Sequence, residues 1–166
     1  KLRWMNGEYL KAMDSETFYA AAEPYLKKAL TKDFDLHRIA EMVRTRIEVY
    51  PDIPEMVAFF EQVPEYDIAL FTNKKAKTDA EKSLATLKDL LPRLEASEDF
   101  TNDALFEMLK AYTQENGCKV NAVMWPLRIA VSGQSVTPAG ATEIMDIIGK
   151  DESIARIRAA IEKLEA

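Results

Sequence analysis

Residues 121–138 read NAVMWPLRIAVSGQSVTP, an apolar run with one arginine, Arg128, at its centre. The run stops at Gly133 and a short polar stretch that ends in Pro138. Its periodicity is helical rather than alternating, so it reads as a helix with a glycine stop. A charge within a buried helix is costly unless something pairs with it. Arg128 therefore needs either an acidic partner inside the protein or a role at a surface.

The same pattern recurs along the chain. DSETFYAAAEPYLKKAL starts at an Asp14/Ser15 cap, places Phe18, Ala21, Ala22, Tyr25, Leu26 and Leu30 on one face, and should bend or restart at Pro24. DLHRIAEMVRTRIEVY, capped by Asp35, gathers Leu36, Ile39, Ala40, Val43 and Ile47, and leaves Arg38, Glu41, Arg44 and Thr45 outward. Pro51 and Pro54 lead into EMVAFFEQV. A Thr78/Glu81 capping box opens TDAEKSLATLKDLLPRL, and Thr101 opens a helix that ends at Gly117. ATEIMDIIG ends at Gly149, and Asp151 caps a last helix, ESIARIRAAIEKL. Only EYDIALFTN, residues 65–73, has strand character. The expected fold class is all-α, an array of about seven or eight helices with short linkers. Three stretches suggest themselves, 1–34, 35–116 and 117–166, although one continuous unit also fits.

Composition excludes several classes of function. Hydrophobic residues make up 48% and charged residues 30%, an ordinary globular balance. No run approaches the roughly 20 apolar residues that a bilayer span requires. The first residues carry neither a signal-like apolar core nor an initiator methionine, so the sequence reads as a fragment or a processed chain. One cysteine, Cys118, rules out an internal disulfide or a thiolate cluster for zinc, and a lone cysteine reads as a small packed residue. A reduced, cytoplasmic setting fits that usage. The net charge of −6 argues against nonspecific binding to DNA or any other polyanion. The negative charge lies in residues 51–116, with 14 acidic and 7 basic side chains, while both flanks are nearly neutral. A polyanionic partner would have to be met locally, by a few placed basic residues. Lys74, Lys75 and Lys77 form one small basic cluster, either a solvated loop or a phosphate contact.

Catalytic signatures are missing. The five glycines form no GxGxxG and no GxxxxGK[ST], and no HExxH or Glu-x-x-His ligand pair occurs. His37 is the only histidine, and beside Leu36 at a helix start it reads as packed or capping. No catalytic residue, metal site or cofactor is expected in this chain.

Two stretches resemble one family closely. KLRWMNGEYL, residues 1–10, looks like the segment that follows the catalytic domain in bacterial glutamyl-tRNA synthetases, with its Lys-Leu-x-Trp-Met-Asn-x-x-Tyr-Ile pattern. VMWPLRIAVSGQSVTPAGATEIMDIIGKDESIARI, residues 123–157, is similar to that family's C-terminal anticodon-binding region, with its Pro-Leu-Arg helix, Thr/Ser-Gly turn, Pro-Gly and Leu-Gly-Lys-Glu segment. Between them, RTRIEVYPDIPEMVAFF, residues 44–60, resembles a family helix ahead of an aromatic pair. The resemblance implies an all-α module of the class I synthetase anticodon-binding type, whose partner is the anticodon stem and loop of tRNA-Glu. ATP and magnesium would belong to a separate Rossmann-type catalytic domain, whose HIGH-like and KMSKS-like motifs do not occur here. The family usually works as a monomer.

Carried over position by position, the resemblance puts Arg128 at the anticodon-reading surface. Thr137 falls where the family's turn offers hydroxyl and backbone contacts, and Ala141, or its neighbour Gly140, falls where a small or apolar side chain packs on a base. Arg46 matches a helix arginine associated with the third anticodon base. This chain departs from the family at Pro138-Ala139-Gly140-Ala141, one residue longer than the family's Pro-Gly before an apolar residue.

The residues by themselves support the same chemistry. Unpaired RNA bases are stacked on aromatic or guanidinium planes and hydrogen-bonded at their edges. Arg128, followed by Ser132, Gln134, Ser135 and Thr137, offers two guanidinium donors and a set of hydroxyl and amide groups. Gly133 would let backbone approach closely. Lys74 and Lys75 are further candidates for RNA contact. The plainer reading pairs Arg128 with a carboxylate and leaves Trp4, Trp125 and Tyr112 as core. A helical protein–protein interaction domain, its Leu, Met and aromatic side chains lining a groove for a partner helix, is the alternative function.

Overall fold

Four helices begin where a short side chain can accept from the N–H groups that a first turn leaves unpaired. Asp14 accepts from the Thr17 N–H at 2.8 Å, Asp35 from Arg38 at 3.2 Å, Asp79 from Lys82 at 2.8 Å and Thr101 from Ala104 at 3.4 Å. The structure, a computed structural model, describes all residues 1–166 and divides into two compact units, Lys1–Gln62 and Val63–Ala166. The sequence breaks near 34/35 and 116/117 are interhelical loops inside these units.

The first unit holds α1 (Leu2–Ala12), α2 (Ser15–Ala29), α3 (Leu36–Arg44), a 3₁₀ turn (Tyr50–Asp52) and α4 (Ile53–Glu61). Phe18, Ala22 and Leu26 of α2 form the buried stripe against which α3 sets Ile39 and Val43, and α4 sets Ile53, Val57 and Phe60. Each large side chain buried in this way contributes about 1.5–3 kcal/mol. The Arg3 guanidinium meets Glu48 at 3.2 Å and Asp52 at 3.0 Å, and Asn6 donates to the Glu48 carbonyl. These links fix α1 by its polar side.

The second unit holds a 3₁₀ turn (Ile68–Phe71), α5 (Ala80–Ala96), α6 (Asn102–Asn116), α7 (Val120–Ser132), α8 (Ala141–Ile148) and α9 (Lys150–Glu165). Here α7 is central and packs against α5, α6, α8 and α9. Val123, Leu127, Ile129, Ala130 and Val131 are buried, so this helix is covered on nearly every side.

Several sequence expectations are corrected. The ninth helix is α1, which the periodicity of residues 1–10 left unassigned. Residues 65–73 form no strand: a 3₁₀ turn takes Ile68–Phe71, and the one β-type pairing is a bridge between Asn73 and Thr78. Pro24 neither ends nor restarts α2, which runs through it. The cap of α5 is Asp79, not Thr78, which is buried against Ser83 with its hydroxyl 3.2 Å from that of Ser83. Gly149, at φ 89° and ψ 167°, caps α9 in place of Asp151, using a conformation that only glycine adopts cheaply. Trp4 is 62% exposed and Cys118 is exposed, so neither is core. His37 lies on the surface, stacked on the Tyr19 ring at 3.7 Å between centroids. No helix is long and apolar enough to cross a membrane.

Candidate nucleic-acid interface

The end of α7 is built to stop sharply. The Ser132 hydroxyl, fully buried, donates to the Arg128 carbonyl at 2.6 Å and accepts from the Gln134 N–H at 3.1 Å, which occupies groups that the last turn leaves open. Gly133 then takes φ +66°, and a Cβ there would meet the Pro64 carbonyl, Val63 and Tyr66, each at 3.1 Å. Both the left-handed backbone and the close approach require glycine.

One turn back from this stop, Arg128 is half-buried and pairs with no carboxylate. Its Nη1 reaches the Ser135 carbonyl at 3.5 Å, a weak bond, and its guanidinium carbon lies 6.0 Å from the centre of the Trp125 ring. Trp125 is itself fixed, because its Nε1–H donates to the Leu70 carbonyl at 2.8 Å. The internal acidic partner that the sequence left open is therefore not made.

Arg128 and Trp125 border a cavity of about 230 Å³, lined also by Asn73, Lys75, Ala76, Asn121, Met124 and Ala141. No acidic side chain lines it. The size is below the roughly 300–1,000 Å³ of pockets for drug-sized ligands and suits one flat ring system. The wall is mixed: an indole, a thioether, two cations, and two carboxamides that can both donate and accept. Asn73 Oδ1 already accepts from the Ala76 N–H at 3.0 Å, which turns its amide donors outward from that bond. Such a cavity can hold a planar heteroaromatic group with electronegative edge atoms, and its charge favours an anionic scaffold. No group of three or more His, Cys, Asp or Glu side chains is placed to hold a metal ion.

The sequence matches the family model for the anticodon binding domain over residues 17–161. The chain belongs to the anticodon-binding domain family. It is 54% identical over its whole length to a glutamate–tRNA ligase of Lachnoclostridium phytofermentans and 49% identical over 99% of its length to one of Clostridium acetobutylicum, covering 34% of each. A solved glutamate tRNA ligase from Elizabethkingia meningosepticum, in complex with its amino acid, superposes on 98% of the chain with TM-score 0.83 and 27% identity, over 32% of that protein. The chain thus spans about a third of the length of the relatives it matches.

Within this anticodon-binding domain the residues singled out from sequence separate into three groups. Arg128, Ala141 and Lys75 come together at the cavity. Lys74, Ser135 and Gln134 lie nearby in sequence with exposed or half-buried side chains, outside its lining. Ser132 and Thr137 are buried instead, and the Thr137 hydroxyl donates to the Ala139 carbonyl within its own turn. The inserted residue is absorbed there: Ala139 is buried, Gly140 caps α8 and Ala141 begins it. What that turn presents outward is Val136, 76% exposed.

Arg46 belongs to the first unit. It lies two residues past the end of α3, in a turn held by its N–H on the Val43 carbonyl at 2.9 Å, rather than on the helix. Its side chain is exposed and makes no ion pair or hydrogen bond. Its neighbour Arg44 is the structural one, donating to the Lys11 and Met13 carbonyls at 2.6 and 3.0 Å and so holding the end of α1.

Sequence reading passed over Asn73, Asn121, Met124 and the paired role of Trp125. The signal was available for two of these: Asn121, Trp125 and Arg128 are spaced four and three apart on α7, one helical stripe. Sequence reading also missed Arg156, the arginine that is truly buried. Its Nε meets Glu152 at 2.9 Å and its Nη1 donates to the Val131 carbonyl at 2.6 Å, near the C-terminus of α7.

Proposed function

We propose that this domain recognises the anticodon stem and loop of tRNA-Glu within a glutamate–tRNA ligase, taking no chemical step itself. The carrying observation is Arg128, a half-buried arginine with no carboxylate partner, standing over an indole at a base-sized cavity without acidic lining. An unpaired anticodon base enters this cavity, flanked by Trp125 and Met124, with the Arg128 guanidinium on its edge or face and Ala141 packing beneath. A bidentate guanidinium–base contact is worth about 1–3 kcal/mol of discrimination. Arg46 reads a second base, the third of the anticodon, from the first unit. Ser135 and Gln134 supply backbone and amide contacts beside the cavity. Thr137 acts through the turn it braces.

The intact ligase would add a catalytic domain that holds ATP and magnesium, and the module would act as a monomer in the cytoplasm. Affinity of the isolated domain is expected to be modest, since few phosphate contacts give a small salt-dependent term.

The test is a calorimetric titration, at low salt, with the anticodon stem-loop of tRNA-Glu and with the same loop carrying one changed base, at the third position for Arg46 and at another anticodon position for Arg128. Both are repeated on Arg46→Ala and Arg128→Ala. The reading requires preference for the cognate loop and loss of that preference in at least one variant. Equal binding of both loops by all three proteins would reject base reading, and indifference to RNA would move the helical adaptor ahead.

A further inference from the structure

The second unit carries more acidic than basic side chains, yet its cations are not evenly neutralised. Lys88, Lys110 and Lys163 each sit within ion-pair distance of a carboxylate, and Lys150 donates to the Ser97 carbonyl at 2.7 Å. Lys74, Lys75 and Lys77, three cations within four residues, make no side-chain hydrogen bond or ion pair and are all exposed. Outside this cluster only Lys82 and Lys119 in the unit share that state.

The segment that carries the three lysines is not a loose loop. Asn73 and Thr78 exchange backbone hydrogen bonds at 2.9 and 3.1 Å, the Lys77 N–H reaches the Lys74 carbonyl at 3.2 Å, and Asn73 Oδ1 braces the Ala76 N–H. Ala76 is buried and ties the tip to the domain. Lys77 takes φ +57°, a left-handed conformation that a residue with a side chain adopts at a cost. The fold thus spends local stability to hold three like charges close together on a closed hairpin. Lys75 lines the same cavity as Arg128. Like charges held together with no counter-charge are a standing repulsion, relieved when an anion arrives.

We infer that the Asn73–Thr78 hairpin is a preformed phosphate grip that holds the RNA backbone beside the Arg128 cavity. This rests on the proposed anticodon reading for the identity of the strand, but not for its chemistry, which is that of consecutive phosphates. The division of labour is specific: the hairpin supplies affinity that is blind to sequence and sensitive to salt, while the cavity supplies discrimination. Lys77 has a role here beside Lys74 and Lys75, because its left-handed backbone is what closes the hairpin and sets the spacing of the charges.

The test is the salt dependence of binding, for the parent and for K74A/K77G, which leaves the cavity-lining Lys75 in place. Glycine at 77 keeps the positive φ and removes only the charge, so the hairpin survives, as an unchanged melting temperature will verify. A second double variant, K88A/K110A, removes two lysines outside the hairpin. The anticodon stem-loop, its base-changed control and single-stranded poly(U) are titrated into each protein. The expected result for the hairpin variant is a slope of log K against log salt that is less steep by about 1.4, at about 0.7 per lost single-strand phosphate contact. The ratio between cognate and base-changed loops should stay the same, and K88A/K110A should leave the slope nearly unchanged. An unchanged slope in the hairpin variant, an equal loss in K88A/K110A, or a collapse of the cognate ratio would each overturn the inference while leaving the anticodon reading intact. If poly(U) is bound with a lysine-dependent slope but no loop preference exists, the phosphate grip stands and the anticodon reading falls. Binding of neither RNA overturns both.

Discussion

The guanidinium of Arg128 stands 6.0 Å from the centre of the Trp125 ring and meets no carboxylate, whereas Arg156 on α9 is buried, meets Glu152 at 2.9 Å and donates to the Val131 carbonyl. Both arginines serve the same helix, α7, in opposite ways. One belongs to its packing, and the other stands half-buried on the Asn121–Trp125–Arg128 stripe without a carboxylate. This contrast gives the site its physical basis. A cation that contributes little to the fold is free to contribute to a ligand, and the cost of keeping it unpaired is small because it is only half-buried.

Stability measurements should separate the two. Arg156→Ala leaves a Val131 carbonyl without its donor in a buried place and should lower stability by about 1–3 kcal/mol. Arg128→Ala removes a single bond of 3.5 Å and should change stability by no more than about 0.5 kcal/mol. Urea unfolding followed by circular dichroism would decide; equal losses would mean that Arg128 is a structural residue after all.

The stop of α7 predicts an intolerant glycine. Gly133→Ala forces a side chain into φ +66° and into contacts of 3.1 Å with the Pro64 carbonyl and two side chains. Glycine-to-alanine at a compatible position stabilises by about 0.4–1 kcal/mol, whereas at this φ it should destabilise by more than about 1 kcal/mol. Gly117, also left-handed but with open space around its Cβ position, should cost less on the same substitution. A melting temperature for Gly133→Ala at or above that of Gly117→Ala would contradict the packing described.

Thr137 distinguishes bracing from contact. Its hydroxyl is buried and bonded to the Ala139 carbonyl, so Thr137→Val should lower stability by about 1–3 kcal/mol and loosen the turn. RNA binding measured well below the melting temperature should weaken by less than fivefold. A large binding loss at unchanged stability would instead make the hydroxyl a direct contact.

Two tyrosines give the second unit an alkaline limit. Burial pushes Tyr66 up to about 12, with help from the neighbouring Glu65 charge; burial, then a hydrogen bond to Asp89, pushes Tyr112 up to about 12. In the unfolded chain both ionise near 10, so the folded state holds its protons longer than the unfolded one. The stabilisation is complete below pH 10 and is lost as pH rises from 10 towards 12. Phenolate absorbance of these two should appear only well above pH 10, and Tyr112→Phe should flatten the alkaline fall in melting temperature. Ionisation of Tyr66 and Tyr112 near pH 10 in the folded protein, read by difference from the Tyr66→Phe and Tyr112→Phe variants, would refute their desolvation.

The fold was legible because each helix advertises its start, and Asp14, Asp35 and Thr101 cap where their sequence places them. Legibility failed where tertiary contacts decide. Thr78 and Asp79 are equally good caps in sequence, and only the packing of Thr78 against Ser83 selects Asp79. Residues 65–73 look like a strand because they are apolar, and become a 3₁₀ turn because the Trp125 indole holds the Leu70 carbonyl from a distance of 55 residues. At the candidate site, sequence singles out Arg128, Ala141 and Lys75, which line one cavity, but does not show that they meet there with Asn73, since Asn73 and Lys75 reach it from a hairpin whose closure no local pattern announces. It also took Thr137 and Ser132 for presented hydroxyls, because a polar residue in a turn reads as exposed until its backbone acceptors are known.

Arg46 and Arg128 should act independently. Arg46 sits in a turn of the first unit and Arg128 on α7 of the second, and no residue bonds to both. Side chains without shared partners change free energy independently, within about 0.3–0.5 kcal/mol. If each arginine reads its own base, the double variant Arg46→Ala/Arg128→Ala should lose cognate binding by the product of the two single losses. Each single loss should be about 1–3 kcal/mol and confined to a different anticodon position. The check is a double-mutant cycle by calorimetry with loops changed at one base at a time. A double variant no weaker than the worse single would mean that the two arginines serve one contact, and would remove the separate assignment of Arg46 to the third base.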